Sequence, residues 1–255
     1  MAEPGGLVRT SVTDKGVGLI RLTDRDRRNA LSKELSDELA ASVARVLEQQ
    51  ARAIVLSADP PVFSAGGSLD GLANREFPLS ALYAGFLAVA GSPVPTIAAV
   101  DGPAVGAGVN LALACDVIVA SPAARFDPRF LDLAIHPGGG HLWRLARRVG
   151  AQGVSALVLC GDVLTGVEAA ECGLAWRCVP ADELEPLAMR FAERAAVRSA
   201  ELVRRTKASL VASMELTSAE DAVALELRAQ QWSVEQPEFA DAVRAVRERL
   251  ATRSR

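Results

Sequence analysis

Aromatic side chains are scarce in this chain, at 4% of 255 residues, with a single tyrosine. Surfaces that bind single-stranded nucleic acid stack bases on such rings. The net charge of −3 also gives no basic footprint for a phosphate backbone. Histidine is scarcer still: there are two. The four cysteines, Cys115, Cys160, Cys172 and Cys178, show no CxxC spacing, and nothing pairs them with His136 and His141 as metal ligands. Apolar runs are broken by proline, glycine or charge before the roughly 18 to 20 residues a membrane span needs. The opening MAEPGGLVRT lacks the basic-then-apolar profile of a secretory leader. These absences lead us to expect a cytoplasmic protein with reduced thiols, no metal, no nucleic-acid partner and no membrane anchor.

What is present is a 50% hydrophobic composition dominated by alanine and valine, which suits close packing of helices on a sheet. Val17 to Leu22 reads as a strand. Leu31, Leu35, Leu39, Val43 and Leu47 then recur every four residues, the mark of an amphipathic helix. Ala53 to Leu56 reads as a buried strand, so strand, helix and strand follow within about forty residues, a βαβ rhythm. Thr96 to Val100 and Asp116 to Ala120 are further strands, with a short buried helix over Asn110 to Cys115 between them. Leu69 to Phe86 is mixed in character. LWRLARRVG and AQGVSALVLCG read as helices ended by glycine. Thr165 and Glu168 have the spacing of a capping box, with Gly173 closing the helix they start. LAWRCVP supplies a last strand. From Asp182 onward the chain reads as helix, with Pro237 at a helix start.

Two glycine-rich segments, FSAGG (63–67) and AVGAGVN (104–110), each follow a predicted buried strand. Glycine lets the backbone turn sharply and leaves amide hydrogens uncovered. Two such loops meeting in a fold would be able to aim two peptide N–H groups at one oxygen. Phosphate-loop and dinucleotide readings fail on spacing. No GK[ST] follows AVGAGVN, and Leu111 stands where the third glycine of GxGxxG belongs.

Five segments taken in order carry a family resemblance. They are RRNAL (27–31), VFSAGGSLDGL (62–72), PTIAAVDGPAVGAGVNLALACDVIVAS (95–121), PGGGHLWRLARRVG (137–150) and LTGVEAAECGLAWRCVP (164–180). In these the chain resembles the crotonase superfamily, also called the enoyl-CoA hydratase/isomerase family, over nearly its whole length. The resemblance implies an α/β fold of the crotonase type, a spiral of ββα units with a helical C-terminal region. Residues 1–195 would form the acyl-CoA-binding core and 196–255 a helical trimerisation region, giving a homotrimer or hexamer. It implies no cofactor beyond a CoA thioester as substrate or ligand. The oxyanion donors of the family fall on the amides of Gly67 and Ala107. Arg28, Ala30, Ala65, Gly66 and Gly67 would line the CoA, with Arg28 toward its phosphates.

Hydratases of that family place two glutamates round the substrate's double bond, one to activate water and one to supply a proton. The matching positions here hold Asn110 and Phe130, neither of which exchanges a proton near neutral pH. Asp132 or His136 is the first choice as replacement, with His141 next, and Asn110 would orient a water or the acyl group. Three functions follow: a crotonase-type enzyme with nonstandard acid/base residues, a noncatalytic acyl-CoA-binding protein, and an interaction protein that kept the fold alone.

Overall fold

The structure is a computed structural model, and it describes residues 6–74 and 77–253. Its first compact unit runs to Ala196 and is built on a six-stranded sheet ordered β1-β2-β3-β4-β6-β9. These strands are β1 (Val8–Val12), β2 (Val17–Leu22), β3 (Ala53–Ala58), β4 (Thr96–Val100), β6 (Val117–Ala120) and β9 (Arg177–Cys178). β1 and β2 form an antiparallel hairpin, and every later pairing in this sheet is parallel, with Ile54 beside Thr96 and Ile97 beside Val117. A small second sheet joins β5 (Pro103–Val105), β7 (Arg125–Asp127) and β8 (Leu164–Thr165).

The strands are apolar on both faces because both faces are covered. Ile54 and Leu56 point into the larger core with Ile20, Leu22, Ala98 and Ile118. Ala53 and Val55, which alternate with them along β3, belong to a second cluster with Val17, Ile97 and Val119. That cluster is closed by Leu184, Leu187, Ala188 and Ala192 of α7 (Ala181–Ala196). On the first face lies α1 (Lys33–Glu48), whose Leu35, Leu39 and Val43 are buried on the expected four-residue period, while the next buried place falls to Val46 and leaves Leu47 half-buried, because a 3.6-residue turn drifts from a strict period of four. Ser32 caps this helix by accepting from the Leu35 amide.

Between β3 and β4 stand α2 (Leu69–Asn74), a 3₁₀ turn (Leu79–Tyr83) and α3 (Ala84–Ala90), with residues 75 and 76 of the mixed stretch outside the described residues. α4 (Ala107–Leu113) follows β5, and a second 3₁₀ turn (Leu131–Leu133) follows β7. α5 (His141–Val154) is broken at Gly150, which takes φ +70°, ψ 177°, so the glycine-ended helix expected from LWRLARRVG is present. A π-helical turn (Ser155–Leu159) continues the chain. α6 (Gly166–Glu171) starts with the expected capping box: Thr165 accepts from the Glu168 amide, and Glu168 accepts from that of Thr165.

The second unit, from Val197, consists of α8 (Ala200–Ser213), α9 (Ala219–Val234) and α10 (Pro237–Arg253). Arg205 stacks on Trp232 at 4.1 Å between α8 and α9. Neither α8 nor α9 has a buried residue in the single chain. Among the described residues no helix is long and apolar enough to cross a membrane.

Candidate active site

The parallel sheet ends in the two glycine loops, and short backbone ladders hold them together. Ser64 pairs with Ala104: its amide donates to the Pro103 carbonyl at 3.1 Å, and its carbonyl accepts from Val105 at 2.9 Å. Close approach requires glycine on both sides of this seam. A β-carbon at position 66, where φ is +94°, would lie 2.6 Å from the Val105 oxygen and 3.6 Å from the Ala107 nitrogen. One at position 108 would lie 2.5 Å from the Ser64 oxygen. Real β-carbons do not approach oxygen so closely, so larger residues would push the loops apart.

A second ladder ties the first loop to the RRNAL turn. Leu31 donates to the Gly66 carbonyl at 2.6 Å and accepts from the Ser68 amide at 3.0 Å. This pairing uses the amides on either side of position 67 and leaves the Gly67 N–H itself turned away from Leu31. Ala107 is the first residue of α4, where an amide has no intrahelical acceptor. Among the described residues neither the Gly67 nor the Ala107 amide donates a hydrogen bond within the chain.

The residues expected to line CoA gather on the same seam. Ala65 donates to the Arg28 carbonyl at 3.0 Å, and Ala30 precedes the Leu31–Gly66 bond. Arg28 and Asn29 both take left-handed backbone, with φ of 55° and 53°, which turns the Arg28 side chain out to solvent. Sequence reasoning missed what fixes this turn. Asn29 is buried and donates from Nδ2 to the Val62 carbonyl at 2.9 Å. Ser64, fully buried, donates to the Asn29 carbonyl at 2.8 Å and accepts from the Gly66 amide. A buried serine inside a glycine loop was the available signal, since its hydroxyl must find partners.

Asn110 lies one turn beyond Ala107 on α4 and is 2% exposed. Its Nδ2 donates to the Gly138 carbonyl at 3.0 Å, and its Oδ1 lies 2.7 Å from His141 Nδ1. His141, 1% exposed, heads α5, and the edge of Phe130 packs against its ring at 4.9 Å between centroids. Burial pushes this imidazole down to about 4 from its ordinary 6.5. Its Nε2 is buried and has no hydrogen-bond partner. Round the pair stand Gly139, whose β-carbon position is 2.5 Å from Phe86, and Arg144, which donates to the Gly139 carbonyl at 2.6 Å.

The structure does not bring Asp132 and His136 into this cluster. Both are exposed on the segment between β7 and α5, and His136 donates from Nδ1 to the adjacent Pro137 carbonyl at 2.7 Å. Asp127, close by, is held by Arg129. No group of three or more metal-ligating side chains occurs among the described residues.

The described residues thus place two amides without a hydrogen-bond acceptor on neighbouring glycine loops, and comparison with known proteins gives the class. The family model for enoyl-CoA hydratase/isomerase matches residues 12–253, and the chain belongs to that family. It is 42% identical over 247 residues to the "Probable enoyl-CoA hydratase EchA14" of Mycobacterium tuberculosis, a match covering 92% of this chain and 96% of that one. Among solved structures it is similar to the enoyl-CoA hydratase of Bacillus anthracis, with TM-score 0.88, 26% identity, and 95% and 96% of the two chains covered. It is also similar to a Thermobifida fusca protein in complex with acetoacetyl-CoA, with TM-score 0.81, 26% identity, and 90% and 95% covered.

Proposed function

We propose that this protein acts on an acyl-CoA or enoyl-CoA thioester, holding the enolate oxygen between the amides of Gly67 and Ala107. The observation that carries the reading is the pair of unused N–H groups on two loops whose backbones touch at Gly66 and Val105. When a thioester becomes an enolate, negative charge grows on its carbonyl oxygen. Donors already in place stabilise that charge with no reorganisation at the moment of reaction. The acetoacetyl-CoA held by the Thermobifida fusca relative supports a thioester as ligand. Arg28, Ala30, Ala65 and Gly66 are proposed to line the CoA, where a guanidinium suits phosphate by donating in pairs.

The acid and base of this reading are nonstandard. Asn110 and Phe130 occupy the positions that the family resemblance gives to glutamates, so another side chain must move the proton; Asp132 and His136 stand exposed outside the cluster, which leaves His141, buried beside Asn110. Asn110 and Phe130 also favour a second reading, a thioester-binding protein without turnover.

A panel of acyl- and enoyl-CoA substrates separates the two readings. Turnover of any member supports the enzyme, whereas tight binding with no rate across the panel supports the binder. The hole itself is tested by Ala107→Pro, since proline is accommodated at a first helical position and removes one donor. The expected loss is about 10²- to 10³-fold in kcat, the cost of one oxyanion donor, with the far-ultraviolet circular dichroism spectrum unchanged. A wild-type rate in that variant would count against the hole.

A further inference from the structure

The orientation of the Asn110 amide is decided by chemistry rather than by the similarity of its two ends. The Gly138 carbonyl only accepts, so the atom 3.0 Å from it must be the amide nitrogen. The amide oxygen therefore faces His141 Nδ1 at 2.7 Å, and an oxygen can only accept there. Nδ1 must carry the hydrogen. In a neutral imidazole the proton is then absent from Nε2, which presents a lone pair. That nitrogen is buried, and no partner meets it. A buried acceptor left unsatisfied costs free energy and points to a role that fills it.

We propose that His141 Nε2 is the proton acceptor of this site, with Asn110 as the residue that positions it. The proposal deepens the thioester reading and rests on it. Asn110 sits one turn from the Ala107 amide, so the base and one enolate donor share the short helix α4 through their partners. Proton transfer at carbon then needs a single group. A C–H bond next to the thioester breaks, its electron pair moves into the enolate, and the oxygen takes the charge between the two amides. The proton passes to Nε2, and its return to the same carbon, or to the γ-carbon of an enoyl chain, regenerates the thioester with no net redox change. A lone base with the ring of Phe130 packed against it suits such a proton shuttle better than water addition, which the family assigns to two carboxylates.

The titratable side chains on the elements round this ring are Tyr83 on the first 3₁₀ turn, Arg144, Arg147 and Arg148 along α5, Arg129 and Asp132 flanking Phe130, and the exposed His136 before α5. α3 and α4 bring none. Burial keeps the imidazole neutral, and so able to accept, from about pH 5 upward.

Because the chain has only two histidines, ¹⁵N-histidine labelling reads the tautomer directly, with His136→Gln assigning the second ring. His141 is expected to show a protonated Nδ1 and a bare Nε2, a pattern that Asn110→Ala weakens. The chemical arm follows exchange of the α-hydrogens of butyryl-CoA in D₂O by NMR, beside calorimetric affinity for acetoacetyl-CoA. His141→Gln should lose roughly 10²- to 10⁴-fold in exchange, the range for a general base, while its affinity stays within about threefold. His136→Gln and Asp132→Asn should exchange at the wild-type rate. For His141→Ala, added imidazole should restore part of the rate. The proposal is overturned by an Nε2-protonated ring, by undiminished exchange in His141→Gln, or by loss of exchange in His136→Gln or Asp132→Asn. Wild-type binding without exchange overturns it and leaves the thioester reading standing. Absence of binding overturns both.

Discussion

A histidine folded into an apolar site without a charged partner leaves its proton in solvent. The imidazole of His141 falls from 6.5 to about 4 because burial disfavours its charged form. Its folded pKa thus lies below the unfolded one, and between the two the unfolded chain binds the extra proton. The stability this side chain allows is complete above about pH 6.5 and is lost as pH falls from there to about 4. The shift corresponds to about 3 kcal/mol. Urea unfolding at pH 7.5 and pH 4.5 should show a larger drop for the wild type than for His141→Gln, and equal drops would contradict the burial argument. At the seam between the loops, Gly66→Ala sets a β-carbon 2.6 Å from the Val105 oxygen at a φ of +94°. The expected cost is about 2 kcal/mol or more, visible as a melting temperature lower by about 4–8 °C. A variant melting with the wild type would mean that the loops part freely.

Among the elements, α6 depends most openly on its start. The capping box at Thr165 and Glu168 satisfies two backbone amides that the first turn otherwise leaves unpaired. Thr165→Ala should cost about 1 kcal/mol in denaturant unfolding, and an unchanged midpoint would show that α6 is held by the packing of Ala169 alone. This box was legible in the sequence because its chemistry is local, as were α1 with its regular leucines and the break at Gly150. β1 was not, since VRTSV alternates polar residues at an open sheet edge and lacks the apolar run of the buried strands. Strands of two or three residues, such as β5, β7 and β8, are too short for any period to show. The candidate site divided the same way. The glycine loops were readable because close approach demands glycine. The order of preference among Asp132, His136 and His141 was not, because exposure decides it, and burial on a glycine-rich turn leaves no trace in spacing.

At the scale of the whole molecule, the helices from Val197 onward leave large apolar side chains uncovered in the single chain. Leu210, Val211 and Val223 are 58%, 53% and 64% exposed. Isolated exposed leucines are ordinary, but helices with no buried residue need an apolar neighbour. Other copies of the chain are the expected cover, as trimer or hexamer. Sedimentation equilibrium should give three or six times the chain mass, and Leu210→Asp with Val223→Asp should shift the population to smaller species. A wild-type monomer at micromolar concentration would refute this expectation.

In the proposed site two backbone amides share one thioester oxygen. A crystal structure of the protein in complex with acetoacetyl-CoA tests it most directly. The thioester oxygen is expected within about 2.7–3.1 Å of both the Gly67 and Ala107 nitrogens. A bound thioester whose oxygen faces solvent, or reaches neither amide, would contradict it.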